Sequence, residues 1–224
     1  MARLYDHIRR SPATAPDNDS VSDTGRTETF SDGVLAIAIT LLVLDLHVPL
    51  RGTLGDESLA DALGHQWPQY AAYVTSFLVI GIIWVNHHTL FRLIRYVDRM
   101  LLFINLLLLL FVAAIPFTTS LLAEYLTAGG SAARTAALVY SVVMVAMSFA
   151  FGSLFIYVVR HTALVEDNVD PAALRTSTRR FTALGIVLYS ATILVALVSA
   201  PACLVLHLAI ALYYCFEQIR TRAE

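Results

Sequence analysis

Ser31, Asp32 and His87 are the residue types of a nucleophile, an orienting acid and a general base. Their placement argues against hydrolysis. Neighbours on a helix point about 100° apart, so Ser31 and Asp32 do not converge on one base, and no Gly-x-Ser-x-Gly elbow surrounds the serine. His87 and His88 invite a metal reading, but adjacent positions diverge and the i, i+4 spacing of HExxH is missing. Cys203 and Cys215 stand twelve apart in the last apolar stretch, without CxxC or Cys/His ligand spacing, and read as small core residues. No catalytic residue, metal or cofactor is expected, and the chain does not read as an enzyme.

A different chemistry fits these groups. They lie in apolar segments, where an ionisable side chain at a helix centre costs about 2.5 to 3.5 kcal/mol and so marks a functional or anchoring position. Composition places the chain in a membrane: 58% hydrophobic and 14% charged residues, with mean hydropathy +0.69, lie far from the soluble range. The net charge of −2 supplies no basic groove for nucleic acid.

A span needs about twenty apolar residues. Stretches near 30–48, 70–91, 100–122, 134–159, 181–200 and 202–217 qualify, which predicts an all-α integral membrane protein of six transmembrane helices. The last pair is joined by almost no loop at Pro201, a residue that readily starts a helix. With the N-terminus inside, thirteen of the fifteen arginines face the cytoplasm, Arg51 and Arg134 excepted. The positive-inside rule thus gives N-in and C-in. The first outer loop, "RGTLGDESLADALGHQW", reads as a solvated segment with a short amphipathic helix. Residues 1–24, rich in Ser, Thr, Pro, Asp and Asn, read as a disordered cytoplasmic tail, and 25–224 as one transmembrane domain.

In that topology Arg26, Ser31 and Asp32 of span one, Trp84, Asn86, His87 and His88 of span two, and Asn105 of span three fall at one depth near the inner face. Asp32 lies about 140° around the helix from Ile37. Gly33, Ile37, Leu41, Leu44 and Val48 share a stripe with Thr40 at its margin. The polar side should bond to Trp84, His87 or His88, and Asn105, because unpaired polar groups in lipid cost several kcal/mol. The apolar stripe alone suits either a pore face or a helix packed in a bundle core.

"RTETFSDGVLAIAITLLVLDLHVP", "SFLVIGIIWVNHHTLF" and "NLLLLLFVAAIPFTTSLLAEY" together resemble the bacterial relatives of transmembrane protein 175, the endolysosomal potassium channel, through an Arg-x-x-x-Phe-Ser-Asp first-helix motif. The resemblance covers about residues 26–125; beyond 130 only length and span count agree. It implies a homotetramer in a bacterial inner membrane, with the first helices around a path for K⁺ and other monovalent cations. Self, membrane lipid and permeant cations are then the partners. The TVGYG filter of ordinary potassium channels is missing here too. Carried over by position, the constricting layers fall on Ile37, Leu41 and Leu44 and a threonine layer on Thr40, while Arg26, Phe30, Ser31 and Asp32 bond the inner end to spans two and three at Trp84, His87 and Asn105. Thr29, Asp45 and His47 depart from the motif. Modest K⁺ selectivity through hydrophobic rings is the implied function. A proton-coupled secondary transporter using Asp32 and His87 is the alternative.

Overall fold

A computed structural model describes residues 24–50, 52, 55–167 and 169–216. The expected tail lies outside the described residues, Thr24 excepted. Helices α1 (Thr24–Leu41), α2 (Leu59–His65), α3 (Trp67–Phe91), α4 (Arg99–Tyr125), α5 (Gly130–Arg160), α6 (Pro171–Ala196) and α7 (Ala200–Phe216) make an all-α bundle. The first four long apolar segments, Thr24–Asp45, Trp67–Phe91, Arg99–Tyr125 and Gly130–Arg160, have the length and composition to cross a membrane. The apolar runs Thr182–Ala196 and Ala200–Phe216 are shorter.

Local chemistry explains the boundaries. Asp98 caps α4 by accepting from the Leu101 N–H at 2.8 Å, and Asp170 caps α6 by accepting from Ala172 N–H at 2.9 Å, with Pro171 in the first turn. That cap starts α6 some ten residues ahead of the apolar run, so Arg175 and Arg179 are helical and not part of a loop. Gly129 and Gly130, at φ +71° and +59°, turn the chain between α4 and α5 through a region that side chains disfavour. The segment between α1 and α3 holds the expected short helix, α2, capped by Ser58.

Two expectations need correction. The α-helical course of α1 ends at Leu41; Leu42–Asp45 tighten into a 3₁₀ turn and Leu46 is extended. Val48 therefore does not continue the helical stripe, and the reason lies in Pro49, which drives the residue before it toward extended geometry. Cys203 is buried as expected, but Cys215 is exposed.

α4 packs along α5 and α5 along α6, while α7 closes against α3, α5 and α6, and α1 lies on α3 and α4. A polar knot ties the middle of the bundle. The Ser76 hydroxyl lies 2.7 Å from that of Thr119 and 2.9 Å from that of the fully buried Tyr140, joining α3, α4 and α5 where no water competes. His207 of α7 stands edge-on to Tyr140 at 4.8 Å. At the end where α1 begins, a belt of loops holds the helices: Ile94 and Val165 form an isolated bridge, Tyr157 donates to Asp98 at 2.6 Å, and the Thr24 hydroxyl donates to the Arg95 carbonyl at 3.1 Å.

α5 and α6 approach closely at Gly152, where a β-carbon would stand 2.6 Å from Thr182 Cγ2. Gly152→Ala is expected to lower stability by about 1–3 kcal/mol through overpacking. Thr182→Ser, which removes that methyl and keeps the hydroxyl, should restore most of the loss in the double variant. Thermal unfolding in detergent checks this; additive single and double losses would refute the contact.

Candidate functional site

α1 has two faces. Thr27, Ser31, Leu35, Ala38 and, one turn on, Leu42 are buried against the rest of the chain. Around the helix, Phe30, Ile37, Leu41 and Leu44 are exposed, Ile37 at 62%, Leu41 at 43% and Leu44 at 71%, and Gly33 and Thr40 lie open beside them. Spacings of three and four residues produce both rows. The 3₁₀ turn, with three residues per turn, sets Leu44 directly over Leu41.

The buried face carries a directed chain of hydrogen bonds. His87 Nε2 lies 2.9 Å from Asn105 Oδ1, Asn105 Nδ2 donates to Ser31 Oγ at 2.8 Å, and the Ser31 hydroxyl donates to the Thr27 carbonyl at 2.8 Å. Since the Asn105 amide donates to serine, its oxygen must accept, which puts the imidazole proton on Nε2. All three side chains are buried, and His87 stacks on Phe91 at 4.3 Å. Ser31 is thus occupied as donor and acceptor and makes no hydrogen bond to His87, so the three groups do not form a triad. Among the described residues no group of three or more His, Cys, Asp or Glu is placed to hold a metal.

Two contacts flank the chain. Trp84 Nε1 donates to Asp32 Oδ1 at 3.0 Å, and His88 Nδ1 meets Glu28 Oε1 at 2.6 Å. The residue types singled out from sequence therefore meet as Ser31–Asn105–His87 and Asp32–Trp84. Arg26 and Phe30 do not join them: both lie exposed on the open face of α1, and Arg26 makes no hydrogen bond or ion pair among the described residues. The Glu28–His88 contact was not anticipated. Its available signal was depth alone, since both residues sit in the polar segments that the topology brings to one level.

A family model described as the endosomal/lysosomal potassium channel TMEM175 matches residues 26–116, the stretch that carries every group above. A potassium channel of Streptomyces collinus is 52% identical over 199 residues, covering 89% of this chain and 95% of that protein. The chain belongs to the TMEM175 family. Its fold is similar to the crystal structure of a lysosomal potassium-selective channel TMEM175 homolog from Chamaesiphon minutus, with a TM-score of 0.75 at 36% identity over 86% of this chain and 96% of that one. The endosomal/lysosomal proton channel TMEM175 of Gallus gallus is 40% identical over 106 residues, 45% of this chain and 21% of that protein. TMEM175 proteins are channels, and this member is not an enzyme.

Asn105→Ala strands both the His87 N–H and the Ser31 lone pair, whereas Ser31→Ala strands one amide proton. Interhelical hydrogen bonds in membranes average about 0.6 and reach about 1.7 kcal/mol. Asn105→Ala is expected near the upper figure and Ser31→Ala near the lower, with the double variant no worse than Asn105→Ala by more than about 0.5 kcal/mol. Unfolding titrations in detergent measure all three; full additivity would show that the groups do not act as one chain.

Proposed function

We propose that the chain is a modestly selective potassium channel of a bacterial inner membrane, assembled as a homotetramer with the open face of α1 around the ion path. Residues 25–224 form the channel domain, crossing six times with both termini inside. The carrying observation is the asymmetry of α1: its polar base is clamped to α3 and α4 by buried hydrogen bonds, while an unbroken apolar row is left uncovered by the same chain. Identity with proteins named as potassium channels supports the ion. Clustering of Arg92, Arg95, Arg99 and Arg160 at the helix ends nearest Thr24, with Arg134 at the other end, supports the orientation. The apolar length of α7, 17 residues, spans about 25 Å, which a locally thinned bilayer accommodates.

In this reading Ile37, Leu41 and Leu44 form successive aliphatic rings. Such rings offer no oxygen to replace hydration, so K⁺, which holds its water less tightly than Na⁺, crosses more easily, and narrow apolar rings gate by dewetting. Thr40 adds the polar layer. Its hydroxyl proton is engaged by the carbonyls of Ala36 and Ile37, each at 2.9 Å, which leaves oxygen lone pairs turned outward for a passing cation.

Ile37→Asn, which gives the ring oxygens, is expected to raise Na⁺ permeation relative to K⁺, read as a shift of reversal potential in mixed solutions across a planar bilayer. An unchanged reversal potential would remove Ile37 from the selective path. Unitary current steps are expected from the unaltered protein; K⁺ flux without them would favour the carrier alternative.

A further inference from the structure

The first half of α6 carries two exposed arginines, Arg175 and Arg179, that pair with nothing among the described residues. Arg175, Thr176 and Arg179 line an open groove of about 500 Å³ with Ala183. Neither arginine makes a hydrogen bond or ion pair among the described residues. Of the acids in the loop before α6, Asp167 pairs with Arg95 at 3.1 Å, the Asp170 carboxylate accepts from the Ala172 N–H at 2.9 Å, and Glu166 is exposed and makes no ion pair with either arginine. Both guanidinium groups are therefore free to take an external anion.

The helix pattern says what kind of partner suits this groove. Leu174, Thr178, Thr182, Tyr189, Thr192 and Ala196 are the buried row of α6. The opposite row runs Arg175, Thr176, Arg179, Ala183, Val187 and Leu194, all exposed. At about 100° per residue these six fall within a sector of about 120°. Read along the axis, the sector presents two guanidinium groups and a hydroxyl, then a small residue, then open aliphatic side chains. Val187 and Leu194 are 64% and 68% exposed. The change from charge to hydrocarbon comes at Ala183, where the apolar run Thr182–Ala196 begins.

We propose that this face of α6 is a binding site for one anionic phospholipid, its headgroup phosphate held by Arg175 and Arg179 and its acyl chains laid along Val187 and Leu194. Guanidinium suits the task because its planar donors grip phosphate oxygens bidentately. Ala183 leaves room at the level where the headgroup gives way to the glycerol and chains. A soluble anion would need the arginines but not the aliphatic row, and a neutral lipid would need the row but not the arginines. The site uses both. The inference rests on α6 as a span but not on α1 as the pore face, so lipid retention can fail while conduction persists, and the reverse.

The test uses the full purified chain exposed to phosphatidylglycerol and phosphatidylcholine with matched acyl chains, and native mass spectrometry to count the lipid that stays bound. Wild type is expected to retain phosphatidylglycerol over phosphatidylcholine by roughly tenfold or more, since each guanidinium at an anionic headgroup contributes about fivefold. Arg175→Gln/Arg179→Gln should abolish the preference, Arg175→Lys/Arg179→Lys should keep most of it, and Arg134→Gln, at the far end of the bundle, should leave it intact. Should the glutamine pair fail to fold, Ala183→Glu decides: an acid on the exposed face with both arginines present should repel the headgroup and reduce the preference. Equal retention of the two lipids by wild type overturns the proposal, as does a preference that survives both Arg175→Gln/Arg179→Gln and Ala183→Glu. Displacement of phosphatidylglycerol by free glycerol phosphate would make the groove a soluble-anion site instead. Loss of oligomer mass in Arg175→Gln/Arg179→Gln with retention unchanged would make it a contact between subunits.

Discussion

The Asn105 side chain accepts from His87 and donates to Ser31 in a place no solvent reaches, and the position of α1 depends on it. Each bond is worth little by itself, because in a bilayer the separated helices also find partners. What matters is direction. The chain runs His87 to Asn105 to Ser31 to the Thr27 carbonyl, and reversing any link would set two donors or two acceptors face to face. Rotating α1 by one residue would expose Ser31 to hydrocarbon and bury Phe30 in its stead. The outer contacts Asp32–Trp84 and Glu28–His88 resist the same rotation from neighbouring angles. An apolar helix in lipid has no hydrophobic reason to choose one face over another; this polar base makes the choice, and the row bearing Ile37 and Leu41 is open as its consequence.

The clamp needs a scaffold that does not move with it. α3 and α4, which carry Trp84, His87, His88 and Asn105, are held at mid-bundle by a second set of buried polar groups, Ser76, Thr119 and Tyr140. That set is reached from α5, and α7 leans on it through the ring of His207. The two networks share helices but no residues. One positions α1, and the other keeps the surface it is positioned against. The belt through Ile94, Val165, Asp98 and Tyr157 then fixes the loop ends from which α1 starts.

Some of this was legible in the residues alone. Depth reasoning puts Ser31, Asp32, Trp84, His87 and Asn105 together because long apolar segments joined by short loops leave few choices of level, and the structure links those five by three hydrogen bonds in two groups. Angle along one helix separated the polar side of α1 from the apolar side for the same reason. The mid-bundle knot was not legible: Thr119 and Tyr140 lie 43 and 64 residues beyond Ser76 along the chain, and a lone hydroxyl in an apolar run carries no local mark of its partner. The start of α6 could have been read: Asp170-Pro171 is a cap followed by a first-turn proline, a local rule that span-length counting overrides. Pro49 restrains only Val48 and gives no sign of the tightening at Leu42. Cys215 was assigned to the core on residue type, which cannot register the side of a helix on which it falls.

The tightening at Leu42 has a further structural sense. Continued as α-helix, the chain would place Leu44 about 60° off Leu41 around the axis, because three residues advance 300°. In the 3₁₀ turn three residues advance a full 360°, so Leu44 stacks on Leu41 while Leu42 remains fully buried beside α3 and α4. One residue thus keeps the turn attached to the bundle as the open row continues straight. If four such rows surround an axis, as proposed, the layers at Leu41 and Leu44 superpose and form a single constricted column, whereas an unbroken α-helix would offset one ring from the next and widen the path between them.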